Sequence, residues 1–212
     1  MTYHRENCNF AIQIKESVKE ILELSERNRQ RAWEIIRDTD LIGIWESVGA
    51  TVNIVGSLKL NLMVKHCDID MHIYTDSLRV SDSFAAIARL AEHPSIRRIE
   101  YANLLNVEDA CLEWHAWYED LDGKMWHIDM IHIVKGSRYD GYFEVVSDRI
   151  LAVLTEEQRN TILRLKFETP DNEKIMGIEY YRAVITGGVR SYDELLRYRH
   201  ENPVPGILEW MP

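Results

Sequence analysis

The chain has 212 residues, of which 46% are hydrophobic and 28% charged, as is typical of a folded globular protein and not of a disordered one. Its formal net charge of −10 argues against general nucleic-acid binding and against docking on an anionic membrane. Three cysteines without a CxxC pair exclude a zinc knuckle. Together with the lack of a signal-peptide pattern or an apolar run of about 18 residues, they lead us to expect a soluble, cytoplasmic protein.

The hydrophobic pattern of the first half predicts helices and strands in mixed order. Three- and four-residue apolar spacing between residues 11 and 38 predicts an amphipathic helix, or two helices joined near residues 25–28. Further helices are expected over 41–48, 58–64 and 81–91. β-Branched or alternating residues predict strands over 51–55, 68–74 and 96–107.

The second half begins with a hairpin and ends in helices. An Asp-Gly turn at residues 122–123 separates two alternating runs, which predicts a β-hairpin of strands 111–118 and 125–134. Helices are expected from Thr155, a capping residue, and over 172–185 and 191–199. The order predicts an α+β fold with two parts. These are an α/β domain with an N-terminal helix over 1–140 and a helical C-terminal segment over 141–212.

Gly56-Ser57 stands where a strand turns into a predicted helix. Glycine at this point lets a backbone approach a ligand closely, and the free amides with the Ser57 hydroxyl suit a phosphate group. A simple turn is the competing interpretation, because Gly-Ser pairs are common in turns.

Two aspartates, Asp68 and Asp70, share one face of the strand DIDMHIY, since strand side chains repeat every two residues. Their mutual repulsion is relieved by a cation, and such oxygen ligands suit Mg²⁺. A third acid, Asp129, stands in the mostly apolar strand WHIDMIHI, where burial requires a partner or a metal ion. Solvated strand faces or ion pairs are the alternative interpretations.

The combination of these residues resembles a known superfamily. Gly56-Ser57, ten intervening residues, the Asp68-x-Asp70 pair and a later-strand Asp129 resemble the nucleotidyltransferase superfamily, which has the polymerase beta-like fold. The resemblance covers residues 51–133 well and residues 41–49 loosely. It implies a mixed sheet flanked by helices, and a helical C-terminal segment is frequent in that superfamily.

The chain departs from the superfamily pattern in two places. Lys59, Leu60 and Asn61 occupy the stretch where many relatives have a second glycine, and Cys67 stands where many have Ser or Asp. Neither departure removes a metal ligand. Both departures put the binding of the triphosphate in doubt, and Lys59 is the candidate to compensate in part by reaching a phosphate.

The resemblance implies a nucleotidyltransferase enzyme with a role for each matched residue. Asp68 and Asp70 would bind two Mg²⁺ ions, or Mn²⁺ as an alternative, with a nucleoside triphosphate. Asp129 would complete the second metal site and help to deprotonate the acceptor hydroxyl. Gly56 and Ser57 would hold the β- and γ-phosphates. The implied reaction transfers a nucleoside monophosphate to a hydroxyl group and releases pyrophosphate.

The charge of the chain also bears on the acceptor. It favours a small-molecule or protein acceptor and makes nucleic acid an unlikely partner. An inactive nucleotide-binding or protein-interaction module with the same fold is the alternative function. A zinc hydrolase that uses His127 and Asp129, which share a strand face, is a third interpretation and predicts copurified zinc.

Overall fold

The computed structural model describes the backbone of residues 3–204 and 206–212 and the side chains of residues 18–204 and 206–212. The strands are β1 Thr51–Ile54, β2 Asp68–Tyr74, β3 Ile96–Asn103, β4 Cys111–Glu119 and β5 Met125–Ile133. The helices are α1 Tyr3–Asp38, α2 Leu41–Glu46, α3 Gly56–Lys59, α4 Val80–Ala91, α5 Tyr142–Val153, α6 Glu156–Glu168, α7 Gly177–Ile185 and α8 Tyr192–Glu201. This is an α+β fold, as the sequence predicts.

The strands form one mixed sheet in the order β1-β2-β5-β4-β3. β2 and β5 are parallel neighbours, and the other pairs are antiparallel. The register aligns Asp70 of β2 with Asp129 of β5, and Asp129 with His115 of β4. The sheet therefore sets these three side chains in a row across its central strands.

The two faces of the sheet have different surroundings. One face packs against α1, α2 and α4 and forms the larger apolar core. Its fully buried side chains include Ile35, Trp45, Ile69, Met71, Leu90, Trp126, Ile128 and Met130. Because side chains alternate along a strand, Asp68, Asp70 and Asp129 project from the opposite face, away from this core.

A second apolar cluster joins the helices at the end of the chain. Side chains of α5, α6, α7 and α8 pack together with Ile21 of α1 and with the segment that follows α3. Helix α6 begins with a complete capping box. The Gln158 amide donates to Thr155 Oγ1 at 3.2 Å, and the Thr155 amide donates to Gln158 Oε1 at 3.0 Å. The division of the chain at residue 140 stays a prediction.

The helix boundaries differ from the predicted ones in several places. α1 runs to Asp38 without a break at residues 25–28, because Ser25 and Asn28 are buried and the Asn28 side chain donates to the Val64 carbonyl. α3 has only four residues, because Asn61 has a left-handed backbone with φ +56°. The apolar residues predicted to continue that helix form a buried loop instead.

The other differences lie in β3 and in the C-terminal half. β3 ends at Asn103, α5 was not predicted, and α7 begins at Gly177 and not at residue 172. Of the described helices, none is both long and apolar enough to cross a membrane.

Candidate functional site

The turn between β1 and α3 holds Gly56 against the side chain of Asp70. Gly56 has φ +63°, and a Cβ there would collide with the Asp70 carboxylate, so glycine is required on two counts. The Ser57 amide donates a hydrogen bond to that carboxylate, and the Val55 amide donates to the Asp70 carbonyl at 3.0 Å. The close approach fixes Ser57 beside the aspartates of β2.

The three predicted carboxylates line one cavity of about 440 Å³. Asp68 and Asp70 alternate along β2, and Asp129 is aligned with Asp70 on the adjacent parallel strand, about 4.8 Å away along the sheet. Gly56 and Ser57 line the same cavity. The structure therefore brings five of the six residues singled out in the sequence to one place.

Ionisation of these neighbouring carboxylates is unfavourable when no cation is bound between them. Burial, followed by the negative charges of Asp129 and Asp68, raises the pKa of Asp70 to about 7. Burial also raises the pKa of Asp68, although His127 opposes the shift. A divalent cation would offset this repulsion, and carboxylate oxygens are hard ligands of the kind that Mg²⁺ prefers. The donor set therefore fits the implied metal ions.

A buried lysine of α6 lies beside these groups. Lys166 Nζ donates to Ser57 Oγ at 2.8 Å and to the Leu62 carbonyl at 2.8 Å. Burial lowers the pKa of Lys166 to about 8, while Asp70 and Asp68 act in the opposite direction. The Tyr181 hydroxyl, 3.2 Å from Ser57 Oγ, completes the group.

The sequence analysis did not single out Lys166. The available signal was its position on α6, where it lies on the same helix face as Ile162, four residues earlier, and is as buried as an apolar side chain. Lysine is almost never fully buried unless it is paired. A lysine on the apolar face of a predicted helix is therefore a candidate site residue.

Lys59, the sixth predicted residue, does not line this cavity. Its Nζ lies 3.1 Å from Asp148 Oδ1, at a different surface depression that also contains Asn53 and Glu144. Of the two lysines, it is Lys166 that contacts Ser57. Whether Lys59 holds a phosphate stays a prediction.

Helices α5 and α7 supply the wall that faces the carboxylates. This wall is mainly apolar and includes Phe143, Val146, Ile150, Met176 and Ile178. A cavity with an apolar wall and a few convergent polar groups is the usual form of a small-molecule site. The carboxylates and Ser57 are among the polar groups here, and Lys166 lies behind Ser57, whose hydroxyl it contacts.

Two histidines flank Asp129 on the sheet face. His115 of β4 contacts Asp129 Oδ1 through Nδ1, and His127 Nε2 lies 3.3 Å from the same oxygen. The rings of the two histidines are nearly parallel, with centroids 5.4 Å apart. Asp129 therefore faces Asp70 on one side and imidazole nitrogens on the other.

Comparison with known proteins adds structural matches only. Neither the family models nor the curated protein sequences give a match to the chain. A structure of the Cid1 poly(U) polymerase with MgGTP bound matches with a TM-score of 0.55 at 13% identity, over 80% of this chain and 55% of that one. The GLD-2–GLD-3 poly(A) polymerase complex matches with a TM-score of 0.54 at 11% identity, over 88% and 63%. A cytoplasmic RNA terminal U-transferase matches with a TM-score of 0.50 at 13% identity, over 78% and 50%.

These matches correct the expectation about nucleic acid. The net charge led us to regard nucleic acid as an unlikely partner, yet the matching structures include an RNA terminal U-transferase and a poly(A) polymerase. That expectation is wrong because net charge sums over the whole chain, whereas an acceptor meets only the surface beside the site. Metal ions held by the carboxylates would also offset negative charge there.

At 11–13% identity, the matches establish the fold alone. The chain spans between half and about two thirds of the length of these three matching proteins. The mixed sheet, the Gly56-Ser57 turn and the aspartates on two parallel neighbours agree with the resemblance found in the sequence. The chain therefore has the polymerase beta-like nucleotidyltransferase fold.

Proposed function

We propose that the chain transfers a nucleoside monophosphate from a Mg²⁺-bound nucleoside triphosphate to an acceptor hydroxyl and releases pyrophosphate. One observation carries the proposal. Three carboxylates, Asp68, Asp70 and Asp129, converge on a cavity that Ser57 also lines, and a buried lysine, Lys166, contacts the Ser57 hydroxyl. Anionic groups that hold metal ions and cationic groups that hold phosphates are the two requirements of this chemistry.

The carboxylates have the role of metal ligands. Asp68 and Asp70 would hold the ions from β2, and Asp129 from β5. Two bound Mg²⁺ ions supply charge stabilisation for both the attacking and the leaving oxygen of an in-line displacement. Asp129 is also the carboxylate placed to accept the acceptor proton, on the oxygen that does not face His115. The raised pKa of Asp70 supports the need for bound cations.

Ser57 and Lys166 have the role of phosphate ligands. The Lys166 ammonium donates three hydrogen bonds, of which two are directed to Ser57 Oγ and the Leu62 carbonyl. The third would be directed to a phosphate oxygen bound beside Ser57. A charge-assisted hydrogen bond in a partly desolvated site is stronger than one between neutral groups. Lys59 stays the alternative phosphate ligand.

The acceptor is a hydroxyl-bearing molecule. One of the matching proteins is named as an RNA terminal U-transferase, which makes an RNA 3′-hydroxyl the first acceptor to test. The chain spans only part of the length of those proteins. RNA as the acceptor is therefore part of our proposal and does not follow from the shared fold. Small polyhydroxyl compounds are the alternative acceptors to be tested beside RNA.

The test is a transfer assay on the full chain. Each α-labelled nucleoside triphosphate is incubated with Mg²⁺ and a single-stranded RNA, and in parallel with the polyhydroxyl set, while pyrophosphate release is followed. We expect Mg²⁺-dependent labelling of one acceptor class by the wild type and its loss in Asp68→Asn/Asp70→Asn. The matched control is Asp76→Asn, which changes an exposed aspartate outside the cavity.

A binding measurement separates loss of activity from loss of the site. At about 100 times its dissociation constant, a nucleotide adds roughly 2.7 kcal/mol to the free energy of unfolding. Mg²⁺-dependent stabilisation by a triphosphate without transfer to any acceptor would favour the inactive nucleotide-binding module. No stabilisation by any triphosphate would overturn the proposal.

A further inference from the structure

A second set of ligand atoms lies at the edge of the cavity, on β4 and β5. His115, His127 and Asp129 each offer one atom, and the three atoms lie within 4.8 Å of one another. His115 is aligned with Asp129 across the strand pair, and His127 precedes Asp129 by two residues on the same face. The sheet register therefore directs two imidazoles and one carboxylate to a common point.

The His127 nitrogen at this point lacks a normal partner. Nε2 is buried, and no group within the described part of the chain hydrogen-bonds to it, although Asp129 Oδ1 lies 3.3 Å away. Buried polar atoms are nearly always hydrogen-bonded, because an unpaired one costs free energy. A cation shared by this nitrogen and the Asp129 oxygen would remove that cost.

The far nitrogen of each ring also faces a carboxylate. His115 Nε2 lies 3.8 Å from Glu113 Oε2, and His127 Nδ1 lies 3.9 Å from Asp68 Oδ1. Metal-bound histidines commonly direct their second nitrogen to a carboxylate, which orients the ring and strengthens the ligand. Both rings have this arrangement. It involves the ring nitrogens that point away from Asp129, so it is a separate observation from the cluster of ligand atoms at Asp129.

We propose that His115, His127 and Asp129 form a binding site for a divalent first-row transition metal ion, with Zn²⁺ as the representative. Imidazole nitrogen suits zinc and its neighbours, whereas Mg²⁺ prefers an all-oxygen environment. Three protein ligands leave a fourth position open to water or to a ligand. The site goes beyond the proposed transfer because it uses two histidines that the transfer does not require.

The shared ligand Asp129 couples this site to the proposed transfer. A Zn²⁺ ion bound to Asp129 Oδ1 would lower the negative charge that this carboxylate offers to the magnesium site, so zinc acts as an inhibitor that competes with the metal–nucleotide complex. This consequence rests on the proposed function. The binding site itself does not, since zinc binding is measured without nucleotide.

The first experiment is a zinc titration of the full chain against a chromogenic chelator, without nucleotide. We expect one site in the wild type and an affinity at least about tenfold weaker in His115→Asn and in His127→Asn, since changes around bound metals cost about 10–100-fold. His200→Asn, which changes an exposed histidine at the end of α8, is the matched control and should bind like the wild type. Equal affinity in all four proteins would overturn the proposal.

X-ray absorption of the zinc-loaded protein gives a second readout. We expect nitrogen and oxygen neighbours at about 2.0–2.2 Å and no sulfur at about 2.3 Å. A sulfur shell would assign the zinc to a cysteine and contradict the proposed ligands.

The coupling is tested by zinc inhibition of Mg²⁺-dependent transfer. His115→Asn should require at least about tenfold more zinc for half inhibition than the wild type, in line with the lost ligand. Unchanged potency in that variant would contradict competition at Asp129. Absence of transfer in the wild type would count against the proposed function, and the titration would still decide the metal site.

Discussion

The backbone of Gly56 and the carboxylate of Asp70 are in such close contact that no side chain fits at residue 56. The contact links the turn that we propose to hold phosphate to a proposed metal ligand. It also places Ser57, whose amide donates to Asp70 and whose hydroxyl accepts from Lys166, between the negative and positive parts of the site.

Gly56→Ala should therefore damage both stability and nucleotide binding. The left-handed backbone alone costs roughly 1–2 kcal/mol for alanine, and the collision with Asp70 adds to that. Gly188→Ala is the matched control, because Gly188 has φ +65° and nothing within 4 Å of its Cβ position. Urea denaturation should show a larger loss for Gly56→Ala, and only this variant should lose Mg²⁺–triphosphate stabilisation. Equal losses would contradict the contact.

Lys166→Met should weaken Mg²⁺–triphosphate binding by about 10–100-fold, the equivalent of one charge-assisted hydrogen bond. Lys59→Met, which removes a lysine paired with Asp148 outside the cavity, should have a much smaller effect. Calorimetric titration of both variants measures the difference, and circular dichroism checks their folding. A greater loss of triphosphate affinity in Lys59→Met than in Lys166→Met would identify Lys59 as the phosphate ligand.

The raised pKa of Asp70 predicts a pH dependence of stability. In the folded protein its pKa is about 7, against a reference value of 3.8, so the folded state retains the proton to higher pH. Stability is therefore lost as the pH rises from about 4 to 7, and Asp70→Asn abolishes this loss. The free energy of unfolding of Asp70→Asn relative to wild type should rise by about 3 kcal/mol between pH 4.5 and 7.5.

Urea denaturation at several pH values measures this effect. Saturating Mg²⁺ should reduce it, because a bound cation favours the ionised carboxylate. A difference between the two proteins that stays constant with pH would contradict the assigned shift.

The capping box of α6 predicts a simple stability effect. Thr155→Ala removes the hydroxyl that accepts from the Gln158 amide and should lower the free energy of unfolding by about 1 kcal/mol. Thr155→Ser keeps the hydroxyl and should retain most of the stability. Thermal unfolding of the two variants beside the wild type gives the comparison, and identical melting temperatures would exclude a role for the cap.

Local patterns predicted the parts of the site that lie within one or two elements. Alternation placed Asp68 and Asp70 on one strand face, and the Gly-Ser turn followed from its position after β1. The same alternation, applied to β5, placed His127 with Asp129. These predictions needed only the two-residue period of a strand.

Long-range packing decided what the sequence analysis did not predict. Lys166 reaches Ser57 across 109 positions of the chain, and its partner Leu62 lies in a buried loop that apolar spacing predicts as helix. His115 meets Asp129 only through the β4–β5 register. The first contact has no local signal, because it depends on which elements become neighbours in the fold. The second requires the register of the predicted hairpin in addition to the hairpin itself.

The parallel pairing of β2 and β5 has a consequence for how the chain reaches its fold. A slip of one residue along β5 would turn His127 and Asp129 into the apolar core and bring Ile128 and Met130 to the cavity. Burying an unpaired carboxylate among those apolar side chains would cost a large amount of free energy. The carboxylate that we propose as a metal ligand therefore also favours the correct strand register, because a sheet misaligned by one residue would be destabilised.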